Sequence, residues 1–198
     1  MTEQVEADAT VCRGGIEFES LVAEFRRMHA ALCAAAPDSG LTAALQREFR
    51  DVANRLESTR QPVESDRASW RIGMSSRGHP TLVPFDVEHL DEHVFRARLE
   101  FSDVHLGGNG AVHGGTIPLL FDDFLGMFVS AKGQPHSRTA FLKVNYRRIT
   151  PIYTPLLVEG TIDRIEGRKT WVSGRLLHGS EITADAEALF LRLLPGQP

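Results

Sequence analysis

The sequence predicts an α+β protein in which antiparallel strands wrap one long helix, with a helical hairpin ahead of them. Three observations predict it. Apolar residues recur at three-and-four spacing before residue 60, alternate with period two after residue 80, and crowd almost all round one helix-length segment between the later strands. At 198 residues, 42% hydrophobic and 24% charged, the chain has enough material for one sizeable core or two small ones.

Within residues 16–36, Phe18, Leu21, Val22, Phe25, Met28 and Leu32 make an amphipathic helical stripe that Pro37 and Gly40 end. Leu41, Leu45, Phe49, Val52 and Leu56 form a second stripe over 41–56, completing the hairpin. Residues 57–80 are polar and hold Pro62, Ser65, Ser75, Ser76 and Gly78 without a sustained period. The chain is therefore divided into a helical extension over 1–60, a linker over 61–80 and a second domain over 81–198. In that domain Phe95, Ala97, Leu99 and Phe101 alternate with polar neighbours over 93–101, as a half-buried antiparallel strand requires. Further strands are expected at 138–148, 156–166, 170–178 and 181–193, joined by connections of hairpin length. The helix between them runs from Gly114 and Gly115 to near Lys132 and Gly133. Ile117, Leu119, Leu120, Phe121, Phe124, Leu125, Met127, Phe128 and Val129 make it apolar enough to need a sheet around it, and Pro118 falls in the first turn, where it is tolerated. Trp171 and Phe190 are expected in the core.

Several function classes are excluded at this point. No apolar run approaches the roughly 20 residues that cross a bilayer, since Asp122 and Asp123 interrupt the longest. Glu3, Glu6 and Asp8 stand where a secretory signal would be positive, so the expected location is the cytoplasm, with no membrane partner. Cys12 and Cys33 lack metal or redox spacing and read as reduced thiols. Twenty-six acidic against 22 basic residues, net −4, argue against a nucleic-acid binder. His89 and His93 have the H-x-x-x-H spacing but no Glu after the first His, and they lead into a strand. They read as a solvated turn, and no metal is expected.

Two features can carry chemistry. Residues 108–115, rich in glycine, lead straight into the central helix, whose unpaired N–H groups can hold an oxyanion; a plain tight turn is the alternative. Asp122 and Asp123 lie in mid-helix, and each has apolar residues three and four positions away, so the helical projection does not choose between a candidate base and a solvent-facing carboxylate.

His113-Gly114-Gly115, an Asp nine positions after the histidine, and the run Thr139-Ala140-Phe141-Leu142-Lys143-Val144-Asn145-Tyr146 resemble the hot-dog-fold acyl-CoA thioesterases. Within them the similarity is to the branch related to phenylacetyl-CoA thioesterase and the mammalian thioesterase superfamily members, over about residues 82–194. The resemblance implies the hot-dog fold and hydrolysis of an acyl-CoA to a free acid and coenzyme A. It implies that Asp122 activates water or attacks the thioester carbon and that Asp123 is its structural neighbour. Gly114 and Gly115 would form the turn whose backbone N–H polarises the carbonyl, His113 would help position that turn, and Thr139 would hydrogen-bond the water or the carboxylate. Some relatives place an Asn six residues before the histidine; here that position is Gly107 and the nearest Asn is Asn109. Coenzyme A is part of the substrate, so no cofactor is expected. Asn109, Lys143, Arg147 and Arg148 are the candidates for its phosphate-bearing moiety, within a wider basic set of Arg138, Arg164, Arg168 and Lys169, each of which otherwise belongs to a solvated strand face.

Gly114 and Asp122 stand eight residues apart on one helix, about 12 Å, too far for both to touch one thioester. A two-fold homodimer with composite sites answers this, and a homotetramer of two such dimers does so equally. A serine-hydrolase mechanism is excluded because no G-x-S-x-G elbow is present. The competing readings are a hydratase of the same fold, which commonly carries an Asp-x-x-x-x-His pairing that no histidine here completes, and a non-catalytic acyl-thioester binder.

Overall fold

The computed structural model describes residues 17–60, 78–131, 137–194 and 196–197. The expectations for Cys12, for the linker over 61–77 and for the helix end at Lys132 and Gly133 lie outside the described residues. The chain divides into two units, Met1–Pro80 and Thr81–Pro198.

The first unit holds α1 (Phe18–Ala34) and α2 (Ser39–Glu57), within two residues of the limits the spacing predicts. Asp38 starts α2 by accepting a hydrogen bond from the Leu41 N–H at 2.8 Å, satisfying one of the helix's unpaired donors. Arg26 donates to the His79 carbonyl at 2.8 Å. The apolar stripes are only partly covered. Val22 is the buried residue of α1, α2 has none, and Leu21, Leu32, Leu41, Val52 and Leu56 are exposed.

The second unit is built from β1 (Phe85–Leu90), β2 (Val94–Leu99), α3 (Thr116–Ala131), β3 (Ser137–Tyr146), β4 (Leu156–Glu166), β5 (Lys169–His178) and β6 (Glu181–Arg192). All strand pairs are antiparallel, and the sheet order is β1-β2-β4-β5-β6-β3. One face of the sheet packs on α3, which is the hot-dog arrangement. Strand β1 was not anticipated. It is an edge strand in which only Phe85 is buried, so it carries no alternation to read.

Phenylalanines fix the helix on the sheet. Phe95 of β2 stacks on Phe124 of α3 with centroids 4.2 Å apart and planes within 2°, and Phe85 meets Phe124 edge-on at 5.5 Å. Beneath them, Gly160 of β4 and Gly174 of β5 face each other across the ladder. A Cβ at Gly160 would lie 3.0 Å from Leu125 and 3.1 Å from Phe124, and one at Gly174 would lie 2.9 Å from Phe121. Only glycine lets α3 sit this deep. Ala184, Ala186 and Ala188 of β6 keep the neighbouring strand equally low. Ile117, Leu120, Phe121, Asp123, Phe124, Leu125, Phe128 and Val129 are thereby buried, and a stripe through Leu119, Asp122 and Ser130 stays exposed.

Phe190 belongs to the core, 3% exposed, but Trp171 does not. Thr170 and Val172 on either side of it are buried, so alternation turns Trp171 to the outer face. There it is half-buried, edge-on to Phe141 at 5.8 Å and under the Arg164 guanidinium at 4.7 Å.

Because Phe124 is fully buried between two rings and a glycine, Phe124→Ala is expected to cost about 3–5 kcal/mol of stability, read as a lowered urea midpoint. Leu119→Ala, on the exposed stripe, is expected to cost less than about 1 kcal/mol in the same measurement.

Candidate active site

The segment from β2 to α3 is a long loop held from several sides. It begins with Ser102 at the head of a helical turn, Asp103–His105, where the Ser102 N–H donates to His105 Nδ1 at 3.0 Å. The His113 N–H donates to the His105 carbonyl at 2.7 Å, and the Val112 N–H to the Thr150 carbonyl at 2.9 Å, which ties this loop to the β3–β4 connection. Between them, Gly108–Gly110 forms a second turn in which Asn109 and Gly110 both take left-handed backbone, φ 58° and 71°. Asn tolerates that region better than most residues, so its identity has a conformational reason; its side chain stands at an exposed tip.

Gly107, the position where some relatives carry Asn, has a steric reason of its own. A Cβ there would lie 2.8 Å from His113 Cα, so any other residue would force the loop away from the histidine.

At the start of α3 the hydrogen bonds sort the two glycines. The Gly115 N–H donates to His113 Nδ1 at 3.0 Å, and the Thr116 N–H donates to the His113 carbonyl at 2.9 Å. Nδ1 therefore acts as an acceptor, and the neutral ring carries its proton on Nε2. The Gly114 carbonyl accepts from the Tyr146 hydroxyl at 2.7 Å, while the Gly114 N–H has no acceptor among the described residues. Where the sequence left both glycines as donors to a substrate carbonyl, the structure engages the Gly115 N–H with His113 and leaves that of Gly114 open.

The two aspartates also separate. Asp123 is 8% exposed, whereas Asp122 lies on the uncovered stripe of α3 and its Oδ1 accepts from Thr139 Oγ1 at 2.7 Å. Thr139 reaches it because of a β-bulge. Thr139 pairs with Phe190 and Phe141 with Leu189, so Ala140 is the extra residue. That extra residue turns Thr139 from the outer face, where its separation from Tyr146 would put it, to the face that packs on α3. Thus β3 meets the helix at Asp122 through Thr139 and at the helix start through Tyr146. The sequence motif included Tyr146, but its contact with Gly114, 32 residues away, was not anticipated.

Of the basic candidates, Arg138, Lys143, Arg147 and Arg148 lie on or beside β3, whereas Arg164, Arg168 and Lys169 lie at the β4–β5 hairpin; Lys143, Arg147 and Arg148 pair with carboxylates of β6. Arg147 forks onto Asp185, whose Oδ1 also accepts from Asn145 at 2.7 Å. Arg148 is 3.5 Å from Glu181, and Lys143 is 3.8 Å from Glu187. The Arg147 hydrogen bond, more than any other neighbour, holds the Asp185 carboxyl below the usual aspartate range. His89 and His93 are organised by Asp91, which accepts from the His93 and Val94 N–H groups at 2.8 Å and sits 2.7 Å from His89 Nε2. The described residues hold no cluster of three or more His, Cys, Asp or Glu that could bind a metal, and no helix long and apolar enough to cross a membrane.

Comparison with known proteins matches residues 109–184 to the family model described as thioesterase superfamily. Acyl-coenzyme A thioesterase THEM4 of Rattus norvegicus is 36% identical over 98 residues, covering 48% of this chain and 42% of that relative. The chain thus spans less than half the length of the curated relatives it matches. Among solved structures, the crystal structure of a thioesterase superfamily protein superposes with a TM-score of 0.74 at 24% identity, covering 88% of this chain and 90% of that one. A hypothetical thioesterase protein with coenzyme A from Streptococcus pneumoniae TIGR4 superposes with a TM-score of 0.52 at 15% identity, over 55% of this chain and 85% of that one.

Arg147→Gln is expected to raise the Asp185 carboxyl toward its ordinary value near 4, read by NMR titration. The folded value is depressed, so the stabilisation that this pair gives is present above the unfolded aspartate value and is lost as pH falls through the folded one. In the variant, unfolding is expected to depend less steeply on pH in that acid window.

Proposed function

We propose that this thioesterase-superfamily hot-dog domain hydrolyses an acyl-CoA thioester to a carboxylic acid and coenzyme A. The observation that carries the reading is the exposed Asp122 carboxylate held by Thr139 at 2.7 Å, on the one stripe of α3 that the sheet leaves open. With Oδ1 fixed by the threonine, Oδ2 is the oxygen that takes a proton from water or attacks the thioester carbon. The Gly114 N–H, at the positive end of α3, receives the charge that develops on the carbonyl oxygen. A thioester is electrophilic enough for a base and an oxyanion donor to suffice. Its coenzyme A portion carries phosphates, and Lys143, Arg147 and Arg148, with Asn109 at the loop tip, are the groups that would meet them. The name of the THEM4 relative and the coenzyme A held by the Streptococcus pneumoniae protein support the same substrate class.

The site is composite on this reading. Asp122 lies about 9 Å along α3 from its first residue, Thr116, and Gly114 precedes that residue by two, so on this reading the turn of one copy serves the carboxylate of another in a two-fold homodimer. Support comes from β3, which is an edge strand among the described residues, and from the exposed Leu119, Tyr146 and Ile149 beside it. A tetramer of two such dimers meets the same requirement.

Thiol release from short, medium, long and aromatic acyl-CoAs tests the function. Asp122→Asn is expected to lower kcat at least about 100-fold, and Asp123→Asn to leave most of it. Thr139→Val is expected to lower kcat about 10-fold through loss of one hydrogen bond to a charged group. Equal losses for both aspartates, or no turnover of any acyl-CoA by the unmodified chain, would sink the reading. The composite site is tested by mixing subunits. Asp122→Asn and His113→Ala chains, each inactive alone, are expected to regain about a quarter of the unmodified activity when co-refolded, because half the dimers then contain one intact site of two. No recovery would place both groups of each site on one chain.

A further inference from the structure

The peptide group between Gly114 and Gly115 is held at both ends. Its carbonyl accepts from the Tyr146 hydroxyl at 2.7 Å, and its N–H donates to His113 Nδ1 at 3.0 Å. The preceding peptide group, between His113 and Gly114, is held by its carbonyl alone, which accepts from the Thr116 N–H at 2.9 Å. Three hydrogen bonds therefore fix two consecutive peptide planes, and the one group they leave out is the Gly114 N–H. Two adjacent glycines have the widest backbone freedom of any pair, so the direction of that N–H is set by these bonds and not by the residues themselves. Two of the three bonds are short-range and travel with the loop. The third comes from β3, which is anchored along its length to β6.

We propose that Tyr146 is a positioning residue that aims the Gly114 N–H by locking the peptide plane that follows it. The proposal rests on the hydrolase reading for its catalytic consequence, but the lock itself is a property of the folded chain. The three groups form a chain running Tyr146 O–H to Gly114 C=O, then Gly115 N–H to His113 Nδ1. Donation at one end of an amide strengthens donation at the other, so the tyrosine also tightens the hold of the histidine on the turn. Only a single neutral hydrogen bond is lost when the hydroxyl is removed, which keeps the expected effect moderate. Gly114 has room for this arrangement, since even a Cβ there would stand 3.7 Å from the hydroxyl oxygen.

The test is Tyr146→Phe, which keeps the ring and removes only the hydroxyl, read in two ways on the full chain. The first is hydrogen exchange of the peptide covering residues 107–119, expected to quicken about 3- to 10-fold with the melting temperature unchanged within a degree or two. The second is the kinetic split on whichever acyl-CoA the unmodified chain turns over best: kcat is expected to fall about 3- to 10-fold with KM within about twofold. Unchanged exchange overturns the lock whatever the activity does. Faster exchange with unchanged kcat, or a loss confined to KM, overturns the positioning role. If the unmodified chain hydrolyses no acyl-CoA, it is the hydrolase reading that fails, and the exchange measurement still decides the lock.

Discussion

The seating of α3 on two facing glycines is the constraint from which the rest of the second unit follows. Gly160 and Gly174 lie opposite each other on β4 and β5, and Phe121, Phe124 and Leu125 occupy the space where their side chains would be. That contact fixes both the depth of the helix and its rotation about its own axis. Once the phenylalanine side is committed to the sheet, the stripe through Leu119, Asp122 and Ser130 has nowhere to go but outward. The exposure of Asp122 and the burial of Asp123 are consequences of glycines some 40 and 50 residues further along the chain. A helix as apolar as α3 would otherwise have several nearly equivalent ways to lie in an apolar groove.

The same dependence explains what the sequence does and does not disclose. A helix apolar on nearly every side, followed by four strands at hairpin spacing, is readable because period and length are local properties. The choice between two adjacent aspartates is not, because it is made by the partner surface. Periodicity does not separate them; the resemblance to a family singles out Asp122, and the structure shows that this carboxylate accepts a hydrogen bond from Thr139. Strand β1 is not legible because a single buried residue gives no pattern, and the expectation of Trp171 in the core fails because its position in β5 faces outward between the buried Thr170 and Val172. Tyr146 escaped for a reason of parity. Seven residues separate it from Thr139, an odd number that places two strand residues on opposite faces, and only the bulge at Ala140 brings both onto α3.

The loop before α3 shows how residue identity follows from neighbours in space. Gly107 is glycine because His113 backbone passes where its side chain would be, and Asn109 occupies a left-handed turn position. The departure at Gly107 from the pattern seen in some relatives therefore has a physical cause in the path of this loop, and His113 is held by that path as much as it holds the turn. Lys143 of β3 and Arg147 and Arg148 just beyond it are likewise paired with carboxylates of β6, so any phosphate that approaches them competes with an acidic partner already in place.

Among the described residues, strand β3 has one neighbour in the sheet, β6, and stands at its edge. It contributes little to the apolar core, yet it carries both side chains that brace α3 from the open side. Peeling this strand away would release Thr139 from Asp122 and Tyr146 from Gly114 in a single local opening, while the phenylalanine seat stayed intact. Competence of the site and stability of the fold are thus governed by different free energies. A population of molecules can be fully folded by every global measure and still contain a fraction in which the carboxylate has lost its threonine and the turn keeps only its own short-range bonds.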